Sequence, residues 1–327
     1  MKVDLLDGLD AVGEAAWQGL HARSAFPSPF MSWPWQRGWL ETFGAGRRLR
    51  LLRVRDGAGD LAGLLPLYED GAQGFRILGG VDVSDYLDLI APAGAEEEVW
   101  AALLQSHATA PGTWDLHAIR ASSPTVTLVP TLAPAYGLSA ASAVEERCPV
   151  LDLPGTWDAY LATLSGKQRH ELGRKMRRLE RELPGTATAS YASWAELSAR
   201  LPAFFELHRG SHAGKARFMD LRMERFFRAA IGGLAERGVA RLWMLEHQGR
   251  AIAAFICLEW PGAVGLYNSG FDTTTAAVSP GIVLLAGIIR DAIERGLARF
   301  DFLRGEEPYK LGFGARSEDL YRIQVTG

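Results

Sequence analysis

Between Ser279 and Lys310 the chain carries two groups of residues with chemical capacity. The first is Ser279-Pro280-Gly281-Ile282. Serine followed by proline marks a helix start, and no Asp or Glu follows until Asp291. Free N–H groups and the positive end of the helix dipole then meet no neutralising carboxylate, which suits an anion, a pyrophosphate in particular. The second group is Arg304, Glu306, Glu307, Tyr309 and Lys310, with Asp301 just ahead of it. Carboxylates take protons, a phenol gives one, and cations hold negative charge, so this loop can serve proton transfer beside a bound anion.

The elements that must position these groups can be read from period and punctuation. Tyr267 to Phe271 is short, aromatic and bounded by glycine, as a strand is, and Asp272 to Ser279 reads as a loop. Ile282, Leu285, Ile289 and Ile293 recur at helical spacing from the Ser279 start, and Gly296 ends that helix. Arg299 to Leu303 is strand-like again. The polar groups therefore collect where strands end.

The chain of 327 residues, 48% hydrophobic, has material for two domains with real cores. Cys148 and Cys257 are its only cysteines, too few for a disulfide framework or a cysteine zinc site. The first residues carry acids where a secretion signal needs bases, and the apolar run Gly281 to Ile289 falls short of the roughly 20 residues of a membrane span. A cytoplasmic protein without a membrane span is expected. Residues 1–148 hold 11 Lys and Arg against 18 Asp and Glu, a net of −7, and the remainder 24 against 20, a net of +4. An anionic ligand favours the second half.

The two halves share an order of elements. Leu52 to Leu67 lines up with Leu242 to Leu258 as strand, glycine turn, strand. The helix at Glu96 matches the one at Pro280, and Trp114-Asp115-Leu116 matches Phe300-Asp301-Phe302. Two similar units in tandem follow. Glu96, Glu97 and Glu98 crowd the first copy's helix start, where they would repel a phosphate, so only the second copy should hold an anion. The aromatic stretch Phe26 to Trp35 is expected to seal a core.

Between the units, Leu164 to Leu183 is an amphipathic helix with Lys167, Arg174, Arg178 and Arg181 in one arc. A solvated face, contacts to cofactor phosphates and contacts to RNA are the open readings. No aromatic residue interleaves the bases, so nucleic acid is not the expected partner. His208 to Lys215 reads as a flexible connection, and His208 with His212 lacks the third ligand a metal needs. No metal is expected. The sequence has no G-x-S-x-G elbow, Walker loop or C-x-x-C.

Val278-Ser279-Pro280-Gly281 before an apolar helix, with Phe300-Asp-Phe-Leu-Arg-Gly-Glu-Glu-Pro-Tyr-Lys310, resembles the C-terminal pattern of the CelD-like acyltransferases of the GNAT superfamily, linked to cellulose and exopolysaccharide synthesis. Ser28-Pro-Phe30 with Trp35, Gly63 to Leu67, and Ser84-Asp85-Tyr86 resemble the same family's N-terminal pattern. A fainter similarity extends to the Fem-type aminoacyl-tRNA-dependent transferases of peptidoglycan synthesis. The resemblance implies an α/β (α+β) fold of tandem GNAT-like units with mixed, mostly antiparallel sheets flanked by helices. Residues 1–148 would form a first GNAT-like domain without cofactor, and 149–327 a second with the donor-binding helix start.

It also implies an N-acyltransferase that carries an acyl group from acetyl-CoA or another acyl-CoA to an amine of a small molecule, amino sugar or cell-envelope precursor. An aminoacyl-tRNA donor and a non-catalytic part in polysaccharide biosynthesis are the alternatives. Ser279, Pro280, Gly281 and Ile282 would bind the cofactor, although the usual Q/R-x-x-G-x-G/A loop is here Ala276 to Gly281, with one glycine and no arginine. Asp301 and Glu307 are then the favoured bases, Tyr309 the acid with Tyr267 second, and Lys310 a holder of negative charge. Asp85, Tyr86, His208, Asn268 and Arg304 would bind the acceptor.

Overall fold

The computed structural model describes residues 1–71, 74–109 and 112–327. The chain divides into two compact units, Met1–Arg147 with Glu318–Gly327, and Cys148–Ser317. A linear division at residue 148 would leave the last ten residues in the second unit, but they belong to the first.

The first unit is built from β1 (Lys2–Leu6), α1 (Glu14–His21), α2 (Trp33–Phe43), β2 (Leu49–Arg55), β3 (Leu61–Glu69), β4 (Phe75–Ile77), α3 (Glu96–His107), β5 (Trp114–Arg120) and α4 (Thr125–Leu132). The strand β6 (Ser139–Asp152) leads out of it. The second unit has α5 (Trp157–Thr163), α6 (Gly166–Glu182), β7 (Ala187–Tyr191), α7 (Trp194–Ser211), α8 (Ala213–Phe218), α9 (Leu221–Ala235), β8 (Ala240–His247), β9 (Arg250–Trp260) and β10 (Ala263–Phe271). It continues through α10 (Pro280–Glu294), β11 (Arg299–Asp301) and α11 (Pro308–Gly312), and β12 (Arg316–Thr326) closes the chain.

In the first unit the strands run in the order β1-β2-β3-β4-β5-β12, and in the second β7-β8-β9-β10-β11-β6. Each order contains antiparallel neighbours and a parallel pair, β4 with β5 and β10 with β11. The tandem pattern is thus present at the level of strand pairing. The sixth place is filled by exchange. The Cys148–Asp152 end of β6 pairs with β11, and β12 pairs with β5.

The sheet of the second unit follows from its sequence. In β9, Ile252 to Leu258 is a continuous apolar run, and every member is buried, as a central strand covered on both faces must be. One cover is α10, whose Leu284, Leu285, Ile288, Ile289 and Ile293 pack into one cluster with Phe255, Cys257, Val264 and Phe300. Burying each such side chain contributes about 1.5–3 kcal/mol, so α10 is held by packing more than by propensity. Phe204 and Phe205 of α7 and Phe226 and Phe227 of α9 form another buried aromatic cluster. In the first unit Phe30 and Trp35 are fully buried with rings 4.9 Å apart, and Trp35 Nε1 donates to Ser84 Oγ at 2.8 Å, a core-sealing role.

Three local readings are corrected. The expected loop at Asp272 to Ser279 contains a 3-10 helix, Thr273–Val278, which the Asp272 side chain caps by accepting from Thr274 N. Ser279 then enters α10 in a left-handed conformation, φ 53° and ψ 52°, and its side chain makes no capping bond. The stretch from His208 to Lys215 is helical, because α7 runs on to Ser211 and His212 caps α8 by accepting from Gly214 N at 3.0 Å.

Candidate functional site

The second unit opens where its parallel strands part. β10 and β11 pair only over Ala263 to Gly265 and Arg299 to Asp301, while β10 continues to Phe271. Past Gly265 its backbone has no β11 partner among the described residues. The register against β9 slips between Leu266 and Asn268, so Tyr267 occupies a bulge, which re-aims the strand at this point. Gly265 is sterically required: a Cβ there would lie 2.7 Å from the Trp260 ring.

A cavity of about 440 Å³ lies in the same unit, lined by Lys167, Glu171 and Lys175 of α6, Ile282 of α10, and Tyr309 and Phe313. The lysines and Glu171 stand four residues apart along α6, so they form one stripe. A capping box fixes the start of that helix: Ser165 accepts from Gln168 N, and Gln168 Oε1 accepts from Ser165 N. The first turn of α10 has no acid. Its N–H groups are partly committed, because Ile282 N and Val283 N both donate to the Ser279 carbonyl. Of the residues expected to hold an anion, Pro280 has no N–H and Ile282 offers a side chain, which leaves the Gly281 N–H.

The rest of the basic arc is occupied on the helix itself. Arg174 makes two bonds to Glu171, at 2.8 and 2.7 Å, and Arg178 and Arg181 pair with Glu182 at 2.9 and 3.2 Å. Lys175 also pairs with Glu171, at 3.7 Å, but it borders the cavity as Lys167 does, so these two are the cations that this helix brings to it.

In the loop after β11, Lys310 is buried and donates to the carbonyls of Arg304 at 2.7 Å and Gly305 at 2.9 Å. It also pairs with Glu307 at 2.9 Å, and the Glu307 side chain is 56% exposed. The structure thus gathers Arg304, Glu307 and Lys310. Asp301 is fully buried and accepts from Leu303 N at 2.8 Å, which holds Leu303 at φ 55°. Tyr309 has a half-buried side chain with its phenol pushed up by burial first and Glu307 second. Its hydroxyl has no hydrogen-bond partner among the described residues.

Elsewhere in this unit, His208 and Asn268 meet: His208 Nε2 lies 2.6 Å from Asn268 Oδ1. Burial, then the Lys215 charge, lowers the imidazole to about 4 despite that bond. Lys215 is a residue that the sequence did not single out. Its Nζ reaches Ser269 O at 2.5 Å and Ser269 Oγ at 3.2 Å, on the part of β10 beyond the β11 pairing. Burial lowers its pKa, and the charges of Glu307 and Lys310 also act on it. Tyr267 packs its ring 5.5 Å from Phe227.

Asp85 and Tyr86 lie in the first unit and are both buried. Tyr86 sits edge-on to Phe26 and Phe30. Asp115, the counterpart of Asp301, pairs with Arg322 at 2.6 and 2.9 Å and with His117 at 2.8 Å. Burial works to raise its pKa, but the bonds from His117 and Arg322 hold the carboxyl well below the usual range. In this copy the aspartate is an element of structure.

Residues 166–311 match the family model of the acetyltransferase (GNAT) domain. No curated protein matches the sequence. Among solved structures the chain is similar to FemX, with a TM-score of 0.67 and 11% identity over 98% of this chain and 97% of that one. It is also similar to the C-terminal domain of a putative lysylphosphatidylglycerol synthetase from Agrobacterium fabrum, with a TM-score of 0.58, 11% identity, and coverage of 90% and 87%. A tandem GNAT protein from the clavulanic acid biosynthesis pathway matches with a TM-score of 0.50, 15% identity, and coverage of 99% and 98%. These likenesses establish the GNAT fold. The matched domain spans β10, α10 and β11, so the second unit carries a GNAT-type N-acyltransferase domain.

Proposed function

We propose that the second unit takes acetyl-CoA or another acyl-CoA as donor and passes the acyl group to an amine. The observation that carries this reading is the cavity where Lys167 and Lys175 stand beside the acid-free start of α10. Its cations fit a phosphorylated carrier and supply the charge that an arginine would bring to the loop before this helix. The Gly281 N–H adds a neutral donor.

In this reading a neutral amine attacks the thioester carbonyl directly, and no covalent enzyme intermediate forms. Backbone groups of β10 beyond Gly265 are available to the developing oxyanion, because β11 no longer pairs with them. Tyr309 keeps its proton until the departing thiolate takes it. Glu307 is preferred to Asp301 as base, since Asp301 is buried and occupied by Leu303 N. His208 and Asn268 orient the acceptor as a hydrogen-bonded pair. The CelD-like resemblance favours an amino sugar or cell-envelope precursor as acceptor, acted on in the cytoplasm.

Calorimetry with acetyl-CoA, a longer acyl-CoA and an aminoacyl-tRNA tests the donor. Micromolar or tighter binding of an acyl-CoA alone supports the reading. Binding of the aminoacyl-tRNA alone replaces it with a Fem-type donor, and binding of none would leave a non-catalytic role.

A further inference from the structure

The first unit contains its own cavity, of about 270 Å³, lined among others by Phe26, Tyr86, Asp88, Glu96, Arg120 and Thr125. It lies between the turn that follows β4 and the end of β5, at the acid-rich start of α3. This is the topological counterpart of the opening in the second unit, and its chemistry is different.

Arg120 supplies the cation. Its guanidinium lies 3.8 Å from the Phe26 ring centroid and 5.2 Å from that of Tyr86. Stacking uses the flat face of the group and leaves the in-plane N–H donors available. No carboxylate or carbonyl partners the Arg120 side chain among the described residues. A planar fork held against the Phe26 ring is suited to bidentate capture of a carboxylate.

Asp88 supplies the opposite charge. Its Oδ1 accepts from Thr125 Oγ1 at 2.6 Å and from Leu89 N at 2.8 Å, which fixes the carboxyl and saturates that oxygen. The Thr125 hydroxyl is itself oriented by Trp100 Nε1 at 3.0 Å. Burial raises the Asp88 pKa in spite of these bonds and a further one from the Ser123 side chain, and the Glu96 charge adds to the rise. A ligand cation brought to this end would therefore relieve an unfavourable field. Glu96, Glu97 and Glu98 also make this end hostile to a phosphate.

We propose that this cavity binds a small zwitterion of amino-acid size, its carboxylate on Arg120 and its ammonium on Asp88 with Glu96. The volume is below the about 300–1,000 Å³ of drug-sized pockets, which limits the ligand to a few bonds in length. The site is independent of the acyl-donor site and can be occupied without a donor.

The test uses the full chain without donor and five probes: glycine, β-alanine, γ-aminobutyrate, propionate and propylamine. Binding is followed by calorimetry, and by NMR shifts of the Thr125 methyl group. One of the amino acids should bind at least tenfold more tightly than both singly charged probes. Arg120→Met should weaken it at least tenfold, with Arg120→Lys intermediate, and Asp88→Asn should remove the preference for the amino acid over propionate. If Asp88→Asn does not fold, the Arg120→Lys series and the comparison with propionate still decide. Failure of every amino acid to bind at about 10 mM overturns the proposal, as does equal binding of propionate. An unaltered acyl-CoA affinity in the Arg120 variants would leave the donor reading untouched.

Discussion

His208 and Asn268 face each other across 2.6 Å, imidazole Nε2 to amide Oδ1. Since Asn268 Oδ1 has no proton, Nε2 carries it, and the imidazole is neutral with Nδ1 buried and unpartnered. A second proton on this ring would be stranded in an apolar setting among Phe204 and Phe218.

A pH dependence follows. The unfolded chain protonates this histidine near its ordinary 6.5, and the folded chain resists until about 4. Above 6.5 neither state binds the proton, so the stability is fully present there and is lost as pH falls through the window from 6.5 to 4. The loss attributable to this group is about 2–3 kcal/mol. Urea unfolding at pH 7.5 and 4.5 should show a smaller difference for His208→Gln than for the parent chain. An identical difference in both would remove His208 from the account.

Gly281→Glu places a carboxylate at the start of α10. A Cβ at this position meets the rings of Phe255 at 3.7 Å and Phe271 at 4.0 Å, which is ordinary van der Waals contact. Donor affinity should fall at least tenfold, because a misplaced charge at a helix start costs about 1 kcal/mol or more. Calorimetry with acetyl-CoA on the folded variant checks this, and an unchanged constant would move the anion site elsewhere.

Tyr309→Phe should lower kcat by about 100-fold while KM stays within a few fold, as expected for loss of a general acid. Steady-state kinetics across pH reads the outcome. Parent-like turnover would assign the proton to another group, with Tyr267 the next to examine.

The helix α6 separates two kinds of cation. Lys167→Gln with Lys175→Gln should raise KM for the acyl-CoA about five- to tenfold, whereas Arg178→Gln with Arg181→Gln should change it less than twofold, because those arginines already pair with Glu182. An aminoacyl-tRNA donor gives a different signature: binding whose salt dependence flattens by roughly 0.7–0.9 log units per lost contact in the arginine variant.

The parts of this molecule that were legible in its sequence are those set by local pattern. The unbroken apolar run of β9 and the stripe on α10 announce a buried strand and its covering helix, and the repeated hairpin at Leu52 and Leu242 announces the tandem order. The state of the Ser279 cap was not legible, since its left-handed backbone is imposed by the preceding 3-10 turn and not by serine. Lys175 was passed over although it repeats the Lys167 spacing, because only the packing of α6 beside α10 shows which arc of that helix borders a cavity. The pairing of Asp115 with Arg322 spans 207 residues and leaves no trace in any window of sequence.

That last pairing bears on the order in which the molecule can be made. β5 meets its neighbour β12 only through residues at the end of the chain. A nascent chain emerging from the ribosome can form the β1–β5 portion early, with His117 and Arg76 already beside Asp115, but it must carry an open strand edge and an Asp115 without its Arg322 partner until β12 is made. Closure across so long a separation costs loop entropy before any contact repays it, and it makes the step slow relative to local folding. The first half to be synthesised is therefore the last to be finished, and trimming the final ten residues would damage the beginning of the protein rather than its end.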